Sequence, residues 1–156
     1  MKYKFRALSL ENEWVYGSLL HDLGSDTYYI VTKMYELSES HLDCQFGVEA
    51  YEVIPESIGQ FTGLKDRNGV EIYDGDIVFV KHGSINWIRA LIEWNDVIMA
   101  FRLIYLEEFK QTSMNKVIQN SVPSVEIGEW DMIPKNAMDT KIIGDKFNNP
   151  ELVEGI

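Results

Sequence analysis

The sequence predicts a mainly β protein: a small antiparallel SH3-like barrel with an N-terminal β extension and short helical turns. Three observations carry this expectation. Tyr3, Phe5 and Ala7 alternate with Lys2, Lys4 and Arg6, which is the two-residue period of a half-buried strand. Gln60 to Val80, QFTGLKDRNGVEIYDGDIVFV, sets two turn signals between short apolar runs. Ile85 to Leu106 holds two strongly patterned runs on either side of Asn95-Asp96.

Taken in order, Glu11-Asn12 turns the first strand back, and Trp14 to Leu20 and Thr27 to Tyr35 read as further strands around a Gly24-Ser25 loop. Leu37 to Ala50 is ambiguous, because Ser38 fits a helix cap while Gly47 breaks any helix. Pro55-Glu56-Ser57-Ile58 reads as one helical turn that Gly59 ends. Asp66-Arg67-Asn68-Gly69 then reverses the chain. A two-residue Asn-Gly loop would set Asp66 against Glu71, like charge against like. A three-residue loop with a glycine bulge instead pairs Lys65 with Glu71 and Leu64 with Ile72, and is the one expected. Asp-Gly redirects the chain again at Tyr73 to Asp76, and Ile77 to Val80 is a β-branched and aromatic strand.

In the 85–106 hairpin a two-residue loop would pair Ile92 with Met99, Ala90 with Phe101 and Ile88 with Leu103, a wholly apolar core face. The opposite face would set Trp87 against Ile104, Leu91 against Ala100 and Arg89 directly against Arg102. Facing guanidinium groups need something between them. Carboxylates from elsewhere in the chain would serve, or a partner would. The patch Trp87, Arg89, Leu91, Arg102 and Ile104 is therefore the candidate partner-binding or subunit-contact surface, arginine with aromatics being typical of interface centres.

Beyond Lys110 the pattern is less regular. A short helix is expected over Phe109 to Asn120, a loop with one short strand over Ser121 to Ile133, a closing strand at Lys141 to Gly144, and a terminal helical turn after Asn149-Pro150-Glu151. The chain reads as one domain, with an N-terminal β subregion at 1–59 and a barrel subregion at 60–156 that carries an irregular insertion at 107–140.

Three stretches, MKYKFRALSLENEWVY, QFTGLKDRNGVEIYDGDIVFV and IIGDKFNNPELVEGI, resemble in order the signature stretches of the YopX family of phage and prophage proteins. The resemblance runs from Lys2 to about Glu154, with residues about 111 to 139 departing most from the pattern. It implies a protein encoded by a bacteriophage or prophage and working in the bacterial host cytoplasm. It implies no reaction and no catalytic residues.

Composition narrows the remaining classes. With 46% hydrophobic and 12% aromatic residues, the 156-residue chain can bury a real core. No apolar run reaches the roughly 18 residues of a membrane span, and no signal sequence is apparent. The net charge is −11, with 4 basic and 10 acidic residues in 1–60 against 5 and 6 in 61–106. An acidic field disfavours phosphate backbones, so nucleic acid is not an expected partner. The acids are too scattered for a DNA mimic. Cys44 stands alone without an activating neighbour, and His21, His41 and His82 lack the spacing of a zinc site. Asp66, Asn68, Asp74 and Asp76 fail the EF-hand pattern, and Asp74 and Asp76 flank a glycine as turn residues do. No catalytic, metal or cofactor residue is assigned. The expected function is a non-catalytic protein-binding or assembly module, engaging an unknown phage or host protein or itself as a homo-oligomer. Two alternatives stay open: a nucleic-acid-associated accessory protein, and a metal-dependent enzyme using Asp74 and Asp76.

Overall fold

A computed structural model describes residues 3–36, 46–82, 86–97, 99–106, 125–126 and 140–153. Among them the chain is mainly strand, with almost no helix. Contacts divide it into two compact units, Met1–Phe61 and Thr62–Ile156.

The first unit is built on β1 (Phe5–Leu8), β2 (Trp14–Asp22), β3 (Thr27–Glu36) and β4 (Phe46–Glu52). β1 pairs antiparallel with β2, with Phe5 opposite Gly17 and Leu8 opposite Trp14. β2 pairs with β3, and β3 with β4, across a bulge between Val31 and Lys33. The ambiguous segment 37–50 therefore ends as strand from Phe46, and its first part, including Ser38, His41 and Cys44, lies outside the described residues. Ala7, Ile30 and Val53 form the core, with Phe5, Val15, Leu19, Tyr28 and Ile58 packed on it. The Pro55–Ser57 turn is 3-10, with Pro in the first turn as expected. Ser57 is almost wholly buried and ties this turn to β1: its Oγ accepts the Leu8 amide at 2.8 Å and donates to the Ile54 carbonyl at 2.6 Å.

β5 (Gly59–Lys65) starts in the first unit, where Gly59 and Gln60 pair with Arg6 and Phe5. It continues into the second unit and turns into β6 (Glu71–Tyr73). That reversal is the bulged three-residue loop: Gly69 donates to the Asp66 carbonyl at 2.9 Å, Asp66 donates to the Val70 carbonyl at 2.8 Å, and Gly69 sits at φ +81°. The β1–β2 reversal is the same device. Asn12 donates to the Ser9 carbonyl at 2.9 Å, Ser9 donates to the Glu13 carbonyl at 2.9 Å, and Asn12 takes the left-handed position at φ +62°. In both loops the first side chain staples the turn. Ser9 Oγ accepts the amides of Glu11 and Glu13, and Asp66 Oδ1 accepts those of Asn68 and Val70.

The second unit continues with β7 (Asp76–His82), β8 (Asn86–Asn95), β9 (Ala100–Tyr105), β10 (Val125–Glu126) and β11 (Thr140–Asp145), in the antiparallel order β10-β9-β8-β7-β11. Both faces of this sheet are covered. Ile72, Val78, Ala90, Ile92, Phe101 and Leu103 cluster on one, and Ile77, Leu91 and Leu106 on the other.

Two expectations are corrected. The sheets are open and no closed barrel forms among the described residues; the strand orders end on β4 and β6, and on β10 and β11. The physical reason is β5. Its first residues pair with β1 and its last turn into β6, while Leu64 and Ile72 of that hairpin pack on Val78, Ala90, Ile92, Phe101 and Leu103 through side chains, so among the described residues no continuous ladder closes the 76–105 meander into a barrel.

The second correction is the β8–β9 register. Asn95 pairs with Ala100, giving a loop over 96–99, so Trp94 faces Phe101, Ile92 faces Leu103 and Glu93 faces Arg102. Side-chain hydrogen bonds move the reversal: Asn95 Oδ1 accepts the Val97 amide at 2.9 Å, the Trp94 indole donates to Asp96 Oδ1 at 2.8 Å, and Met99 adopts φ +53°. The slip is even, so each residue keeps its expected face while every pairing partner changes. Apart from β10, the 107–139 segment and its expected helix lie outside the described residues.

Candidate functional site

The corrected register dissolves the facing arginines. Arg102 bonds Glu93 directly opposite it, its Nε donating to Oε2 at 3.0 Å, so a like-charge pair becomes an ion pair. Arg89 Nη1 donates to the Leu152 carbonyl at 3.4 Å, in the 3-10 turn Pro150–Leu152. Leu91 is buried with Ile77 and Leu106, and Ile104, Ile143, Leu152 and Val153 pack on that cluster. The chain's own C-terminal turn thus covers much of the expected patch, through apolar contact and a backbone carbonyl. Trp87 stays 40% exposed at the patch margin, with the Arg67 guanidinium 5.9 Å from its ring centroid.

Asp74 and Asp76 are taken up by the turn between β6 and β7. Asp76, 1% exposed, accepts the Tyr73 amide through Oδ2 at 2.7 Å. Asp74 Oδ1 accepts the Trp94 amide at 3.2 Å, and burial raises its pKa while the Lys146 charge acts against the rise. Gly75 between them, at φ +84°, donates to the Ile92 carbonyl and accepts from the Lys146 amide. Asp145 repeats the theme, its Oδ1 accepting the amides of Phe147 at 3.0 Å and Asn148 at 2.9 Å. Among the described residues no three His, Cys, Asp or Glu side chains converge as a metal site requires. His21 pairs with Asp26 at 2.8 Å and stacks on Tyr28 with ring centroids 4.0 Å apart. Hydrogen bonds from the Gly24 amide, then the Ser25 hydroxyl, hold the Asp22 carboxyl below its ordinary pKa in the same turn.

A different surface emerges in the first unit, on the side of β2, β3 and β4 away from its core. The register places Leu20 beside Tyr29, Val31 beside Ala50 and Met34 beside Val48 on that side, with Phe46 at its end. The bulge at Thr32 keeps Met34 in line with Val31, since their partners Val48 and Ala50 lie two residues apart. Met34 is 66% exposed, Phe46 60%, and Leu20 and Val48 49% each. Every residue of β3 from Thr32 onward is exposed, and β4 is exposed throughout except Gly47. Gly47 itself lies beneath the Tyr35 ring, which a Cβ would strike.

This face is not evident from sequence while 37–50 stands as one ambiguous segment. The signal was present in the two-residue spacing of Phe46, Val48 and Ala50, which only becomes visible once Gly47 is read as a strand residue under an aromatic ring.

The sequence model of the YopX protein family matches residues 4–154. No curated protein matches the chain. Among solved structures, the crystal structure of protein EF1440 from Enterococcus faecalis is similar, at 25% identity and a TM-score of 0.57, with 99% of each chain covered.

Proposed function

Because the chain belongs to the YopX family, matched over nearly its whole length, we propose for it a role without chemistry of its own: a protein-binding or assembly module, encoded by a phage or prophage and acting in the bacterial host cytoplasm. The observation that supports this most is the apolar face of Leu20, Tyr29, Val31, Met34, Phe46 and Val48. Contiguous exposed apolar surface of this kind is uncommon on monomers and marks interaction sites. A second support is the use of the acids. Asp66, Asp74, Asp76 and Asp145 all accept backbone amides in turns, a structural use of carboxylates. The expected partner is a phage or host protein, and the Trp87 margin becomes secondary to the new face. Affinity capture from host cells tests the proposal, comparing the protein with Met34→Glu/Phe46→Glu. Partners lost on double substitution support it; an identical set of captured proteins removes the face from consideration.

A further inference from the structure

We propose that β4 is an acceptor edge, to which a partner protein adds an extended segment whose apolar residues alternate with Lys or Arg. The proposal rests on the binding-module reading and specifies its partner.

β3 and β4 run past β2 as a two-stranded arm. β2 pairs with β3 only as far as Ser18 opposite Val31, whereas β3 and β4 continue together from Lys33–Glu49 to Glu36–Phe46. Beyond the bulge these two strands have exposed side chains on both faces, apart from Gly47. A two-stranded ribbon without a packed face is marginal in water, and a third strand is the usual remedy.

β4 is an end strand of its sheet. Val53 donates to the Tyr28 carbonyl at 3.0 Å, and Tyr51 lies opposite Ile30 in the same register. Antiparallel ladders alternate every residue, so the amides of Tyr51 and Val53 point to β3 while that of Ala50 points away from it. At the C-terminal end of β4 the outer side already meets β1 through the Ser9–Val53 bridge and the Ile54 amide on the Leu8 carbonyl, which leaves the stretch from Phe46 to Ala50 as the open edge. β4, FGVEAYE, also has neither proline nor lysine, the residues that commonly protect an edge.

β4 carries acidic charge and no cation. One side of β4 is apolar, carrying Phe46, Val48 and Ala50, with Glu52 and Glu36 at its ends. The other carries Glu49 and Tyr51, whose hydroxyl donates to Glu49 at 3.1 Å. That hydrogen bond is the largest cause raising the Tyr51 pKa, followed by the charge of Glu49, with Glu13 and Glu11 contributing further. Lys33, opposite Glu49, is the one cation on the arm among the described residues. A second copy of β4 would bring no cation to Glu49 or Glu52, and in the register that sets Glu49 against Glu49 the pairing is unfavourable. A segment with apolar residues over Val48 and Ala50 and cations over Glu49 satisfies both sides, in the manner of strand addition.

The experiment uses the full chain with two labelled eight-residue peptides, one alternating Lys and Val and one alternating Glu and Val. The Lys-Val peptide is expected to bind at low salt, to weaken on adding salt, and to slow hydrogen exchange at Ala50. Ala50→Pro, which removes an outward amide and spares β3 pairing, should weaken binding at least tenfold; Glu49→Lys/Glu52→Lys should do the same and transfer preference to the Glu-Val peptide. Equal binding of both peptides, no binding of either, or wild-type affinity in Ala50→Pro overturns the proposal, as does self-association that Ala50→Pro abolishes. Partner capture that survives Ala50→Pro but is lost in Met34→Glu/Phe46→Glu overturns strand addition while leaving the module reading intact; capture unchanged in both overturns both.

Discussion

Asp66 is the most informative single position to perturb. Its side chain is 4% exposed and accepts four hydrogen bonds: from the Asn68 amide at 2.8 Å, the Val70 amide at 3.0 Å, the Ile142 amide at 3.3 Å and Asn68 Nδ2 at 3.4 Å. Asp66→Ala deprives three backbone amides of their acceptor. The two loop amides can be rehydrated, so each loss costs about 1 kcal/mol, as in removal of a helix cap. The Ile142 amide lies within the sheet and adds about 1–2 kcal/mol, for a total of roughly 3–4 kcal/mol. Ser9, in the matching loop, offers a neutral hydroxyl at 3.3 and 3.2 Å, so Ser9→Ala is expected to cost only about 1 kcal/mol. Asp66→Asn should fall between the two, since its amide can turn an oxygen to the loop but then presents a donor to Ile142. Urea unfolding followed by tryptophan fluorescence measures the series, with unchanged m-values required for a reading in terms of stability. Equal effects of Asp66→Ala and Ser9→Ala, or a loss under about 1 kcal/mol for Asp66→Ala, would refute the staple argument.

Four further outcomes are expected. Ser57→Ala leaves the buried Leu8 amide without its acceptor and should cost about 1–3 kcal/mol by thermal or urea unfolding, with Ser57→Thr less harmful if the hydroxyl is retained. Gly17→Ala places a Cβ on the Val31 carbonyl, a backbone atom that cannot swing aside, so about 1–3 kcal/mol of overpacking is expected, where Gly24→Ala in the adjacent turn should be milder. Burial raises the Asp74 pKa above 3.8, so the folded state holds a proton that the unfolded chain has released; stability therefore falls as pH rises from 3.8 through the folded value. Asp74→Asn should accordingly gain in melting temperature on the wild type between pH 4 and pH 7, and a gain that grows on acidification would contradict the sign. The part-exposed Glu93–Arg102 pair should give a double-mutant coupling of no more than about 1 kcal/mol, and a coupling well above that would contradict the solvent-screened reading of the pair.

What was legible in the sequence depended on how local its cause was. The Asp66 loop, the Pro55 turn and the final turn after Asn149 are set by residues within five positions of one another, and all three form as expected. The faces of β8 and β9 were readable too, because the apolar alternation survives any even slip. Their register was not, since it depended on Asn95 capping Val97 and on Trp94 reaching Asp96, contacts that compete with the tighter Asn-Asp loop. The barrel expectation failed for a longer-range reason: nothing within 60–80 says that β5 will choose β1 as its neighbour. The candidate patch illustrates both limits. Its residues were correctly placed on one side of the hairpin, but the cover came from Leu152 and Val153 at the far end of the chain.

The repeated loop at Ser9 and Asp66 bears on the order in which the chain folds. Each closes on hydrogen bonds spanning four residues or fewer, so the two hairpins carry little loop-closure entropy and can nucleate in microseconds. β11 is the opposite case. It must find β7 across more than half the second unit, and only then can Ile142 reach Asp66, 76 residues earlier. Asp66 thus makes local contacts through Oδ1 and a long-range one through Oδ2, and the local ones are expected to form first. Substitution at Ser9 should slow refolding, whereas removing the Ile142 contact alone should mainly hasten unfolding, a division that stopped-flow chevrons would display. Native interactions of β11 that are already formed at the barrier would reverse that order.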